Sequence, residues 1–294
     1  MKQETAKNIK YPIIFQIETI LGCNLKCPDC AIGADMIDRK KGRWTFDKFK
    51  NVMDNISSHC EYLYLHIWGE PMLNSDIIPI IRYASKFTKT NISTHGNNIT
   101  PSLGVELISS GLTDLVISID GVTQEVYETY RIGGKVDKAL SSLLMLQTYN
   151  QRQGFPVNII PQFIVFKHNQ HEMKLFRELC SDLNLVPTFR APYLRTDSDN
   201  QLGSDPKLHR NVAKNTKDRQ RIMAECECSY QVLTILLDGQ VVACCNDHNG
   251  ITDFGNIFEQ SFMEVWDSPK YRKFRKDLRS GNAPNSCLET CLTY

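Results

Sequence analysis

Between about residue 12 and residue 195, short apolar runs alternate with longer stretches in which apolar residues return every three or four positions. Residues 13–17, 62–67, 91–94, 115–119, 159–166 and 188–191 have the length and the β-branched or aromatic content of buried strands. Residues 76–86, 138–149 and 170–183 lie between them with helical spacing. Six β–α units in succession predict an α/β fold of parallel strands joined by right-handed crossovers. Such units curl into an open or closed barrel whose chemistry sits at the C-terminal ends of the strands.

The pattern changes after residue 195. Residues 196–205 are rich in Asp, Ser, Asn and Gly, and a basic stretch runs on to Arg221. This reads as a linker or a mobile loop near the mouth of the barrel. Near Cys226 a smaller unit begins. Residues 233–237 and 240–243 read as a hairpin around a two-residue Asp238-Gly239 turn. Helical stretches at 261–267 and 270–279 follow, with Pro269 just before the second.

Composition adds constraints. The chain has 294 residues, 41% of them apolar, with 34 basic and 33 acidic side chains and a net charge of +1. That balance carries no nucleic-acid footprint. Gln16 and Glu18 break the apolar run at 11–21, so it is neither a signal peptide nor a membrane span, and a cytoplasmic location is expected. Eleven cysteines without an export signal point to reduced thiols that bind metal. Three lie at 23–30 and six at 226–291, while Cys60 and Cys180 stand apart in apolar context and read as buried filler.

Cys23, Cys27 and Cys30 are separated by three and then two residues, directly after the first strand. A four-iron cluster needs four ligands to be closed. Three thiolates leave one iron open to hold a cofactor. The alternative, zinc, usually draws on paired Cys-x2-Cys knuckles. The motif resembles that of the radical S-adenosylmethionine (radical SAM) enzymes, and the resemblance runs along nearly the whole chain. Trp68-Gly69-Glu70-Pro71 after the second strand is similar to the family's Gly-Gly-Glu-Pro, with Trp68 in place of the first glycine. Residues 93–97 (Ser-Thr-His-Gly-Asn) are similar to its Ser-Thr-Asn-Gly stretch. Between Cys27 and Cys30, Pro28-Asp29 stands where the family often has an aromatic or large apolar residue. The resemblance implies a partial (β/α)6 barrel at 1–200, a linker at 201–225, and S-adenosylmethionine (SAM) bound at a [4Fe-4S] cluster on Cys23, Cys27 and Cys30. It also implies that Gly69 and Glu70 meet the cofactor's amino group, that Ser118 and Arg131 meet its carboxylate, and that Asp120 makes a polar contact. His95 is not expected to ligate metal.

The segment 226–294 resembles the α+β SPASM/twitch extension found after many such barrels. Cys226 four residues before Tyr230, Asp238-Gly239, Cys244, 254–257, Trp266 and the closing pair Cys287/Cys291 carry the likeness. It implies one auxiliary [4Fe-4S] cluster on Cys226, Cys244, Cys287 and Cys291, with Cys228 and Cys245 as rivals; zinc also suits four cysteines. The implied chemistry is reductive cleavage of SAM to a 5′-deoxyadenosyl radical, abstraction of a substrate hydrogen, and passage of an electron to the auxiliary cluster. The family includes 2-deoxy-scyllo-inosamine dehydrogenase, and the leading expectation is oxidation of a small polar substrate such as a sugar or an aminocyclitol. About a dozen residues precede the first strand, so no fused peptide-recognition domain is expected there. The alternatives are a ribosomal-peptide maturase and a zinc-stabilised binding protein. A one-electron donor such as flavodoxin or ferredoxin is the expected partner, with no nucleic acid and no membrane. Arg190, Tyr193 and Arg195 are candidate cavity residues; Glu18, His66, Asp247 and His248 are candidate proton acceptors.

Overall fold

The computed structural model describes residues 10–192, 216–282 and Cys287. Six parallel strands stand side by side in chain order: β1 (Ile14–Ile17), β4 (Tyr62–Tyr64), β5 (Lys89–Thr94), β6 (Asp114–Ser118), β7 (Asn158–Ile164) and β8 (Thr188–Arg190). A short antiparallel pair, β2 (Ile20–Leu21) and β3 (Gly42–Arg43), flanks the cysteine loop. The helices between strands are α1 (Phe46–Ile56), α2 (Ile77–Ala84), α3 (Pro101–Ile108), α4 (Gln124–Tyr130), α5 (Val136–Arg152) and α6 (Met173–Asp182).

Local sequence explains these boundaries. In α1, Phe49, Val52, Met53 and Ile56 are buried at helical spacing. Thr45 caps the helix by accepting from Lys48 N, a contact worth about 1 kcal/mol. In α3, Thr100 caps and Pro101 opens the first turn. Along β7, buried and half-buried residues alternate, as a strand with one face on the helices and one on the lumen requires.

The C-terminal hairpin is built into the same sheet. β9 (Val232–Ile235) pairs in parallel with β1, Ile14 opposite Val232 and Ile17 opposite Ile235. β10 (Val241–Val242) pairs antiparallel with β9, giving the order β10-β9-β1-β4-β5-β6-β7-β8. The sheet is open among the described residues. The hairpin turn is longer than the expected two residues. Gly239 N donates to Leu236 O, so Leu237 and Asp238 form its centre, and Gly239 follows at φ 88°. A right-handed turn followed by a left-handed residue makes a three-residue loop.

A helix, α7 (Thr216–Ala224), runs through the last part of the stretch expected to be a linker, and buries Met223. α8 (Phe262–Trp266) starts with a Ser261–Glu264 capping box, and α9 (Pro269–Arg279) lays Arg275 over the Trp266 ring at 3.8 Å. One hydrophobic core joins Phe15 and Ile17 to Val241, Phe262, Val265 and Trp266, so the two parts are packed together. Cys60 and Cys180 are buried in it, their thiols pushed up to about 11 and about 12 by burial. No described helix is long and apolar enough to cross a membrane.

Candidate active site and auxiliary cysteine site

Cys23, Cys27 and Cys30 follow β2 and face one cavity of about 140 Å³. Their loop is held by its own backbone: Cys30 N donates to Cys27 O, Ala34 N to Cys30 O, and Lys26 N to Ile132 O. Gly33 folds back over Cys27 so closely that a Cβ would stand 2.4 Å from the Cys27 carbonyl oxygen. Only glycine fits there, a requirement sequence reading missed. Burial pushes the Cys27 thiol up to about 12 and the Cys23 thiol up to about 11. Without metal both are neutral thiols, and iron must displace their protons. No aromatic stands between Cys27 and Cys30, but Tyr130 and Phe166, with ring centroids 4.4 Å apart, pack with Leu25 and Cys27. The aromatic wall beside the loop therefore comes from α4 and from the residues after β7.

The 68–71 turn lies across the loop. Gly69 has φ 149°, and a Cβ there would meet the Ile20 carbonyl at 2.6 Å. Glu70 is 2% exposed, and its carboxylate accepts three hydrogen bonds. Oε1 accepts from Met72 N and the Thr94 hydroxyl; Oε2 accepts from His95 N and lies 3.2 Å from His95 Nε2. His95 Nδ1 accepts from Asn97 N, so its proton is on Nε2, which also meets Asn24 Oδ1. Burial lowers the His95 pKa. Both ring nitrogens are engaged in hydrogen bonds.

Ser118 and Arg131 line the same cavity. Ser118 Oγ accepts from Gln162 Nε2 at 3.3 Å. Arg131 donates through Nε to Asp120 Oδ2 at 2.6 Å and points Nη1 at Cys27 Sγ, 3.9 Å away. Asp120 is fully buried and also accepts from Ile164 N. Burial pushes its carboxyl up, while Arg131 and the Ile164 N–H pull against that. Asp120 thus holds the guanidinium in place.

A second cavity, of about 40 Å³, is lined by Cys226, Cys228, Cys244 and Cys287 among apolar residues. Cys228 hydrogen-bonds with Cys226 and Cys244. The Cys244 thiol is pulled down by Cys228 and by the N–H groups of Asn246 and Asp247. Cys291 lies outside the described residues. Trp68 lines the first cavity, and its Nε1 donates at 2.8 Å to the carbonyl of Cys245, the chain neighbour of Cys244 in the second.

The Radical SAM superfamily signature matches residues 17–178, more than half the chain. The chain belongs to the Radical SAM superfamily. The iron-sulfur cluster-binding SPASM domain matches residues 226–292. This radical SAM enzyme therefore uses SAM with a [4Fe-4S] cluster, and its SPASM domain implies auxiliary iron-sulfur binding. The donor sets fit: three thiols share a cavity with a guanidinium, and four cysteines line another.

The enzyme is 28% identical over 143 residues to the mycofactocin maturase MftC of Mycolicibacterium smegmatis, a match covering 48% of this chain and 36% of that relative. The fold is similar to that of Streptococcus suis SuiB bound to precursor peptide SuiA, with TM-score 0.70, 14% identity, 93% of this chain and 69% of that chain. It is also similar to BtrN in complex with AdoMet and 2-DOIA, with TM-score 0.56, 18% identity, 93% of this chain and 89% of that chain.

The remaining candidates divide. Glu18 is fully buried and bound by both Arg39 Nη atoms, at 2.7 and 2.8 Å, and by Leu237 N. Asp247 accepts from Ile251 N and Thr252 N and shapes its own loop. Both carboxylates are committed to structure. His66 accepts from Ser93 N on Nδ1, and burial drops its pKa to about 4, so it is a neutral imidazole. The His248 ring meets Trp68 edge to face at 6.0 Å. Arg190 ends β8, whereas Tyr193 and Arg195 lie outside the described residues.

Proposed function

We propose that this radical SAM enzyme is an oxidoreductase that removes two hydrogens from a small polar substrate such as a sugar or an aminocyclitol. The carrying observation is the second thiol cavity: its lining residue Cys244 is the chain neighbour of Cys245, which accepts a hydrogen bond from Trp68 of the first cavity. An oxidation needs an electron acceptor close to where the substrate loses hydrogen. Bound at the first cluster and cleaved by one electron, SAM supplies hydrogen-atom abstraction from an unactivated C–H bond.

The chain's residues take these roles. Cys23, Cys27 and Cys30 hold the first cluster as thiolates. Arg131 and Ser118 receive the cofactor carboxylate, and Asp120 fixes the guanidinium so that its remaining N–H groups face the cavity. The three hydrogen bonds that Glu70 accepts shape the Gly69–Glu70 turn, whose carboxylate and backbone carbonyls receive the amino group. Cys226, Cys244, Cys287 and Cys291 would hold the auxiliary cluster; Cys228 lines the cavity together with Cys226, Cys244 and Cys287. Ser93, near the end of β5, offers the cavity a neutral hydrogen-bonding group that suits a hydroxyl-rich substrate. A flavodoxin or ferredoxin delivers the electron.

The test is anaerobic incubation with reductant, SAM and deuterated polyols. Deuterium in 5′-deoxyadenosine and a product two hydrogens lighter are expected; cofactor cleavage that needs no reductant would refute the reading. A second reading, a peptide maturase, is favoured by the precursor peptide held in the SuiB structure. It predicts a mass change in a peptide and none in any polyol.

A further inference from the structure

Trp68 occupies the position where the Gly-Gly-Glu-Pro motif has its first glycine, and the structure shows what the larger residue does. Its half-buried ring lines the cavity shared by Cys23, Cys27, Cys30 and Arg131. Its Nε1 donates to the carbonyl of Cys245, whose chain neighbour Cys244 lines the auxiliary cavity. The path from the cofactor cavity to the Cys244 sulfur therefore runs through an aromatic ring, one hydrogen bond and covalent bonds. Electrons tunnel along such paths with less attenuation than across gaps.

The loop that accepts this hydrogen bond is held from several sides. Arg39 donates through Nε to His248 O at 2.7 Å while its Nη atoms grip Glu18. Asn249 donates to Met36 O and accepts from Asp38 N. Trp44 Nε1 reaches Leu237 O at the hairpin turn. These contacts fasten the residues after the cluster loop to the hairpin and the 245–249 segment. The acceptor loop of the Trp68–Cys245 hydrogen bond is thus anchored to residues 36–44.

We propose that Trp68 is the bridge by which an electron passes between the cofactor cavity and the auxiliary cysteine site. In the oxidation proposed above, on which the direction of flow rests, the substrate radical gives one electron through this bridge to the auxiliary cluster and one proton to solvent or a base. Two hydrogens have then left the substrate, one as the atom abstracted first. The auxiliary cluster would be the oxidant and would end one electron reduced.

The experiment needs no substrate. Holoprotein carrying both clusters is flash-reduced with less than one electron per chain, and the electron's equilibration between clusters is followed by freeze-quench electron paramagnetic resonance. Midpoint potentials and iron content are measured alongside. Trp68→Gly should slow equilibration severalfold with potentials and iron unchanged; Trp68→Phe, which keeps a ring and loses the N–H, should fall between. Unchanged rates in both variants would overturn the proposal. If Trp68→Gly fails to load iron, Trp68→Phe decides alone: slowed exchange supports the bridge and an unaltered rate sinks it. Failure of the wild-type protein to oxidise any polyol would reject the oxidoreductase reading and leave the exchange result standing.

Discussion

Arg131, which lines the cysteine cavity, is paired with fully buried Asp120: Nε lies 2.6 Å from Oδ2, and Nη1 faces the Cys27 sulfur. The carboxylate fixes one edge of the guanidinium and leaves the other edge to a ligand. Lysine cannot reproduce that fork. Arg131→Lys should weaken SAM binding by about 10- to 100-fold, the loss expected for charged hydrogen bonds worth about 1.5–3 kcal/mol. Asp120→Asn keeps the cation but loosens its grip, so binding should weaken less. Equilibrium binding to the iron-loaded protein checks both. Wild-type affinity in Arg131→Lys would remove Arg131 from the cofactor site.

Gly33 sits against the cluster loop with no room for a methyl group, since the nearest atoms are the carbonyl oxygen and nitrogen of Cys27. A backbone neighbour cannot rotate away. Gly33→Ala should displace Cys27 and empty the first site, so that iron falls from about eight to about four per chain. Overpacking should also cost about 1–3 kcal/mol in denaturant unfolding. Full iron content in this variant would show that the loop tolerates the shift.

The strand pattern and the cysteine spacing were legible because each is local. An apolar run with β-branched residues, or three thiols within eight positions, needs no distant partner to be recognised. What escaped reading depends on contacts between remote segments. The parallel pairing of β9 with β1 spans more than two hundred residues and leaves no turn signal of its own. The donors that orient the Glu70 carboxylate, Thr94 and His95, arrive from the end of the next strand, so its setting is not visible in the local sequence. Glu18 reads as a proton acceptor until Arg39 is seen to hold both its oxygens. The helix Thr216–Ala224 carries apolar residues only in its last turn, so its polar composition masks it as a linker.

Six cysteines are candidates for the four places of the proposed auxiliary cluster: Cys226, Cys244, Cys287 and Cys291, with Cys228 and Cys245 as rivals. Cys228 hydrogen-bonds with Cys226 and Cys244, which makes it a neighbour of the ligands even when it is not one. Cys228→Ser should retain about eight irons, whereas Cys226→Ser, Cys244→Ser or Cys291→Ser should drop to about four. Iron and sulfide analysis with electron paramagnetic resonance of the reduced protein reads this directly. The reverse pattern, four irons in Cys228→Ser and eight in Cys291→Ser, would transfer the fourth place to Cys228.

Arg39 and Glu18 supply a prediction about pH. Glu18 is wholly buried and Arg39 is 10% exposed, so removing the cation strands a carboxylate among apolar residues. Arg39→Met should cost about 3–5 kcal/mol near neutral pH. Burial already pushes the Glu18 carboxyl above its ordinary range, and the Arg39 hydrogen bonds and charge oppose that rise. In Arg39→Met the opposition is gone and the pKa climbs further. Between the ordinary carboxylate pKa and this raised folded value, the folded state binds more protons than the unfolded chain. Stability then falls as pH rises through that window. The cost of Arg39→Met should therefore be largest at pH 8 and shrink on acidification toward pH 5, as the stranded group takes up its proton. Urea unfolding of both proteins across that range measures it. A pH-independent difference would mean that Glu18 finds another cation or water when Arg39 is lost.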